Sequence, residues 1–412
     1  MRIVFAKYPA RATVLLLAAA VVAAGCGSSH KADDVARGDT LTIYTSVPRH
    51  GVMAKRGQAV VEGERLALDE AHGRAAGRTV RLVELDDSNP QGGGAWDPSA
   101  VETNAKRAAN DSSTIAYIGE FGLGGSAISV PVTNSKGVLQ VSPEDGLTSL
   151  TRVQPGGPRT SPVRYYPNGR RTFVRLVPTD LEQVDELIAS LLAQKAARVV
   201  IVHDDRLFGR EMAAQTAAVA ADRRVSVAAN IEAPAGASSY ADVARSVAAV
   251  RPDAVVYLGE AGPQAQLLLR TVDGAAPGAR YYASSGLGAG SANRSVPTVG
   301  LLDPMLPPAS YPPRSRQILA RLAAQTGTGV PVDALYGYTA MRVVLDAIAA
   351  SRKDPDDRTK VAAAAFAQSR RESAIGPFSV TATGDVTPAR FASYRLTGGG
   401  ATFQGIRTDP AR

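Results

Sequence analysis

The residues best placed to do chemistry lie between 114 and 144. TIAYIGEF, residues 114–121, reads as a buried strand, and the turn Gly122-Leu123-Gly124-Gly125-Ser126-Ala127 that follows it fits G-x-G-x-x-A. Glu144 stands 20 residues after Gly124. In a dinucleotide fold such glycines let the backbone approach a pyrophosphate, and the acid takes the ribose hydroxyls. That turn normally opens the first strand–helix unit, whereas this one follows the third strand, so no nucleotide cofactor is expected. Backbone N–H groups at a helix start also receive carboxylates and other polar ligands. Gly124, Gly125 and Ser126 are therefore expected to present donors to a small solute.

Other reactive patterns are sparse. His30, His50, His72 and His203 are not spaced with second ligands, so no metal is expected. There is no G-x-S-x-G elbow, and the chain has a single cysteine, Cys26. Two acid pairs, Asp86-Asp87 and Asp204-Asp205, stand at strand ends. They leave an exported hydrolase as an alternative, but acids there more often cap a turn or helix, and the chain is not expected to be an enzyme. Trp96, in NPQGGGAWDP, reads as part of a surface loop.

The elements that must position these residues alternate along the chain. LTIYTSV, VRLVELDD, TIAYIGEF and VLQVSP read as strands separated by helices. After the Pro/Gly-rich stretch 152–171 the alternation resumes, with RVVIVHDD, VSVAANIEAP, DAVVYLGE and RYYASSG as strands. Three helical segments follow a second proline-rich break at 303–313, and FSVTATGD with RFASYRLTGG reads as a closing hairpin. Such repetition implies two α/β lobes, each a largely parallel sheet flanked by helices. Ligands of open α/β sheets sit beyond the carboxyl ends of the strands. Those ends are the loops at 46, 86, 119–126, 142–146, 203–206, 259–262 and 284–286.

The beginning of the chain reads as an export signal. Arg2, Lys7 and Arg11 precede a charge-free run of 13 residues, 13–25, too short for a spanning helix of ~20 residues but suited to a signal peptide. Ala23-Ala24-Gly25-Cys26 looks like the lipobox of bacterial lipoproteins, with residues 27–40 as a polar tether. Lipidation at Cys26 would hold the protein on the outer face of the cell membrane. Removing residues 1–26 would leave a net charge of about +5. With charges alternating in sign and only 5% aromatic residues, nucleic-acid binding is not supported.

Several segments in order resemble the leucine/isoleucine/valine-binding protein family, the type I periplasmic-binding fold that delivers solutes to ABC transporters. They are YTSVP with EGERLALDEA, VELDDSNP, YIGEFGLGGSAISVPVTNSKGVLQVSPEDGLTSLT, VVIVHDDRLFG, DAVVYLGEAGPQAQLLLR and IGPFSVTATGDV. The resemblance spans about residues 41–399. It implies a monomer of two lobes, 40–175 with 308–376 and 176–307 with 377–400, followed by a tail at 401–412. It also implies a ligand cleft between the lobes, no cofactor, and a permease and ATPase as partners; a sensor feeding a membrane receptor is the alternative.

The departures from the family concern the ligand. Members that bind α-amino acids hold the carboxylate with a serine in the glycine turn and a threonine in the SPxAT segment. Leu123 and Gly146 stand at those positions, with Ser126 nearby. The aromatic and the acid that hold the ammonium fall near Ala261 or Gly262 and at Ser285, with Glu260 adjacent; an aromatic is kept as Phe208. In place of the clamp stand Glu144 and Asp145 from one lobe and Arg206 and Glu260 from the other. This set suits a cationic or hydroxyl-rich solute rather than a branched-chain amino acid.

Overall fold

The apolar runs become strands buried on both faces, as parallel sheets require. The computed structural model describes residues 34–89, 96–291 and 298–408. The signal segment and Cys26 lie outside the described residues. The first half comprises β1 (Thr40–Val47), α1 (Ala54–Glu70), β2 (Arg74–Ala75), β3 (Arg78–Asp86), α2 (Pro98–Asn110), β4 (Thr114–Ile118), α3 (Ser126–Ser135), β5 (Leu139–Ser142) and β6 (Phe173–Arg175). These strands form one sheet in the order β2-β3-β1-β4-β5-β6, parallel except for β2.

The second sheet is built from α4 (Asp180–Ala193), β7 (Val199–His203), α5 (Leu207–Asp222), β8 (Val227–Glu232), α6 (Ala241–Val250), β9 (Ala254–Leu258), α7 (Pro263–Ala275), β10 (Arg280–Ala283) and β11 (Val299–Asp303). Helices α8 (Pro313–Thr326), α9 (Asp333–Ala350) and α10 (Arg358–Phe366) then return to the first sheet, before β12 (Ser379–Val380), β13 (Val386–Thr387), β14 (Arg390–Thr397) and β15 (Gly400–Thr408). The second sheet runs β15-β14-β11-β10-β9-β7-β8. β7 and β9 are buried at every residue, while the edge strand β8 alternates between half-buried and exposed.

The C-terminal region corrects three expectations. The closing hairpin is β14 with β15, while β12 and β13 form a separate two-stranded unit. Residues 401–408, expected as a tail, belong to β15 and pair with β14. Phe378, Val380 and Val386 lie in the first core, whereas Ala389 and Phe391 lie in the second. The chain therefore stays with the first core through Val386 and enters the second at 389–391, with Ala392 still in the first core, rather than crossing at 377.

Local signals set several boundaries. Thr179 and Glu182 form a capping box at α4: Glu182 N donates to Thr179 Oγ1 at 3.3 Å, and Thr179 N donates to Glu182 Oε2 at 2.8 Å. Asp97 caps α2 by accepting from Ala100 N at 2.9 Å. Helices α1 and α9 cross through glycines. A Cβ at Gly337 would lie 2.1 Å from the Val60 carbonyl oxygen, and one at Gly63 would lie 1.9 Å from that of Ala334. In an exposed helix, Gly→Ala would stabilise by ~1 kcal/mol. Here Gly337→Ala is expected to destabilise by about 1–3 kcal/mol through overpacking, measured as a lower urea midpoint at an unchanged m-value.

Among the described residues no helix is long and apolar enough to cross a membrane.

Candidate functional site

The carboxyl ends of the two sheets meet at the glycine turn. Gly124 has φ +89°, which favours glycine, and a Cβ there would lie 3.4 Å from Leu207 Cδ2 of the opposite lobe. Leu123 packs against the second lobe's core. The turn is thus one place where the lobes touch.

Two of its donors are already taken. Gly124 N donates to Asp145 Oδ1 at 3.2 Å, Ser126 N donates to Asp145 Oδ2 at 2.9 Å, and Leu147 N donates to Asp145 Oδ1 at 3.1 Å. Asp145 is fully buried. Its own carboxylate occupies the anion position at the start of α3. Ser126 Oγ accepts from Glu120 N at 3.1 Å, so this hydroxyl also faces inward. The expectation that Gly124 and Ser126 offer N–H groups to a solute is corrected accordingly. Nor does Gly125 line open space, because a Cβ there would meet Glu120 Cβ at 3.0 Å. A bulky side chain at Gly125 would disturb the fold as well as the cleft. Trp96 lies over the same turn, 2.8 Å from where a Cβ on Gly122 would sit; it is a packing residue.

Gly146, at the expected clamp position, has no room for a hydroxyl-bearing side chain. Asp180 Oδ1, at the start of α4, lies 2.5 Å from its would-be Cβ. Burial foremost, and Asp145 next, push the Asp180 carboxyl up to about 8.

The charges expected to face one another across the cleft pair within smaller clusters instead. Arg206 bonds Glu260 inside the second lobe. Arg56 Nη2 bonds Glu144 Oε1 at 2.5 Å, and Arg56 Nε bonds Asp333 Oδ1 at 2.8 Å. Ser285 donates from N and Oγ toward Gln183 Oε1 at 3.2 and 3.3 Å. Phe208 is buried beneath Gly286, whose Cβ would lie 2.7 Å from the ring. Ala261 is exposed, and its N donates to the Gly286 carbonyl at 2.8 Å. In the second lobe the ends of β7 and β9 enclose a small polar pocket lined by Asp204, Arg206, Tyr240, Tyr257, Glu260 and Gln264.

Most of the strand-end acids hold loops. Asp86 accepts from Arg49 N at 3.1 Å and Ser88 N at 2.9 Å. Asp204 accepts from Arg206 N at 3.2 Å and Glu260 N at 2.9 Å, and Asp205 accepts from Ala235 N at 3.0 Å. Asp87 differs: it is buried, accepts from Ser46 Oγ at 2.9 Å, and lies against Glu120. Burial first, then mutual repulsion, raises Glu120 well above the carboxylate range. Among the described residues no group of three His, Cys, Asp or Glu is placed to hold a metal.

Sequence reasoning missed Arg56, Asp180, Asp303 and Asp333. Only the Thr179-x-x-Glu182 pattern beside Asp180 carried a local signal; Arg56 and Asp333 are 277 residues apart.

The family described as Periplasmic binding protein matches residues 40–401. No curated protein matches the chain. Solved structures share the fold. A leucine binding protein from Thermotoga maritima is similar with TM-score 0.73 at 19% identity, covering 89% of this chain and 98% of that one. A solute binding protein of an ABC transporter from R. palustris, in complex with benzoate, gives 0.70 at 18% identity, covering 89% and 96%. A branched-chain amino acid transporter substrate binding protein from Streptococcus pneumoniae, in complex with isoleucine, gives 0.67 at 16% identity, covering 90% and 99%.

Proposed function

The chain belongs to the periplasmic binding protein family, and from that premise we propose that it captures a small polar solute between its lobes and delivers it to an ABC permease and ATPase. It works as a monomer outside the cytoplasmic membrane, anchored by lipid on Cys26, and has no catalytic activity. One observation carries this reading: the carboxyl ends of both sheets converge at the glycine turn, where Gly124 meets Leu207 across the lobes. Closing such a cleft excludes water from polar contacts with the solute. The leucine, isoleucine and benzoate carried by proteins of this fold support a small-molecule cargo.

The cargo differs from an α-amino acid. A carboxylate needs fixed donors, and the Gly124 and Ser126 N–H groups of the turn are bonded to Asp145. Loss of two or three charge-assisted hydrogen bonds, at ~1.5–3 kcal/mol each, weakens binding by orders of magnitude. Leucine, isoleucine and valine are therefore expected to give no thermal shift at micromolar concentration. A screen of amino acids, amides, polyamines, sugars and aromatic acids against the full chain checks this. A clear shift with leucine overturns the exclusion, and silence from every class overturns solute binding itself.

A further inference from the structure

Arg56 is outnumbered by the acids around it. Its guanidinium lies 5.1 Å from the Phe121 ring centroid and bonds Glu144 and Asp333. Asp303, the last residue of β11, acts electrostatically on both Arg56 and Glu144. Three carboxylates thus share one cation. The second oxygen of Glu144, Oε2, is buried and has no hydrogen-bond partner; Glu144 as a whole is 8% exposed. A buried carboxylate oxygen without a donor is costly, and a cation or donor supplied from outside would remove that cost. Arg56 itself is 36% exposed, so the cluster reaches solvent on that side. Its members come from α1, the loop after β5, α9 and the end of β11. They therefore draw on both sheets.

We propose that this cluster seats the cationic head of the solute, an organic ammonium without a carboxylate, with Glu144 and Asp303 as its counter-charges. The proposal rests on the solute-binding reading above and names its substrate class. Arg56 fixes one oxygen of Glu144 and leaves the other for the ligand.

The charge state supports this. Burial foremost, with Asp333 and Asp303 adding to it against the opposing pull of Arg56, pushes Glu144 up to about 7. Burial foremost, with Asp333 also raising it against Arg56 and backbone donors, pushes Asp303 up to about 6. At low pH these acids hold protons that an ammonium must displace. Binding therefore releases protons and tightens as pH rises from 5.5 to 8.

Titration calorimetry on the full chain tests the proposal, with spermidine and putrescine as amines, leucine and benzoate as carboxylates, and xylitol as a neutral polyol. An amine is expected to bind with heats that depend on the buffer's ionisation enthalpy. Its affinity should fall about tenfold or more in Glu144→Gln. If that variant does not fold, proton release and the pH dependence of the parent decide. Amine binding without proton release, or amine binding unchanged in a folded Glu144→Gln, overturns the assignment of the site. Binding of only a carboxylate or xylitol overturns the ammonium class and leaves solute binding standing. No binding by any probe overturns the solute-binding reading, and this proposal with it.

Discussion

Arg175→Ala is expected to cost about 3–5 kcal/mol, the loss seen when one partner of a buried ion pair is removed. Arg175 is fully buried. Its Nε lies 3.0 Å from Asp385 Oδ1, its Nη1 donates to the Asp145 carbonyl at 2.9 Å, and its Nη2 donates to the Leu147 carbonyl and Thr151 Oγ1 at 3.0 Å each. One side chain at the end of β6 thus ties the loop 145–151 to the 381–385 turn, and the truncation leaves Asp385 partly unpaired in the core. Burial alone would raise Asp385; Arg175 and Arg152 together hold it below the ordinary value. Urea unfolding at pH 7 measures the loss, and Arg175→Lys separates charge from geometry, because an ammonium cannot reproduce the fork of bonds. A midpoint unchanged in Arg175→Ala would show that the pair contributes nothing.

Asp145→Ala is expected to destabilise by about 3 kcal/mol or more, since three buried N–H donors lose their acceptor and each unmade bond costs ~1–3 kcal/mol. Asp145→Asn should cost less, because the amide oxygen keeps part of the set. Formate or acetate should restore part of the alanine variant's stability by entering the vacated position, as anions do at helix starts. With that position open, leucine should bind more tightly than it binds the parent. Thermal unfolding with and without formate reads the first effect, and calorimetry with leucine reads the second. A variant as stable as the parent and unresponsive to formate would show that Asp145 is not the acceptor on which the turn depends.

Both predictions concern features that the sequence exposed unevenly. The turn at 122–126 was visible as glycines after a strand, and its place between the lobes followed from strand–helix alternation. That two of its donors are spent on Asp145 was not visible, because Asp145 lies 21 residues beyond Gly124, and nothing local distinguishes a carboxylate aimed at the turn from one aimed at a ligand. The same holds for Glu144. Its position after β5 was evident, but its partner Arg56 lies 88 residues away.

What the sequence determined by itself is what short-range physics governs. Apolar β-branched runs such as VVIVH and AVVYL can bury both faces only in a central parallel strand, and Thr179-x-x-Glu182 starts a helix by satisfying its own first donors. Tertiary structure decided the accounting of buried polar groups. A buried N–H or carboxylate must find a partner, and any element that reaches it can supply one, so the choice depends on how α1, α9 and the strand ends pack. That packing turned two expected ligand contacts, Asp145 and Gly146, into self-filled positions. It also brought Arg56, Asp303 and Asp333 around Glu144 from distant parts of the chain.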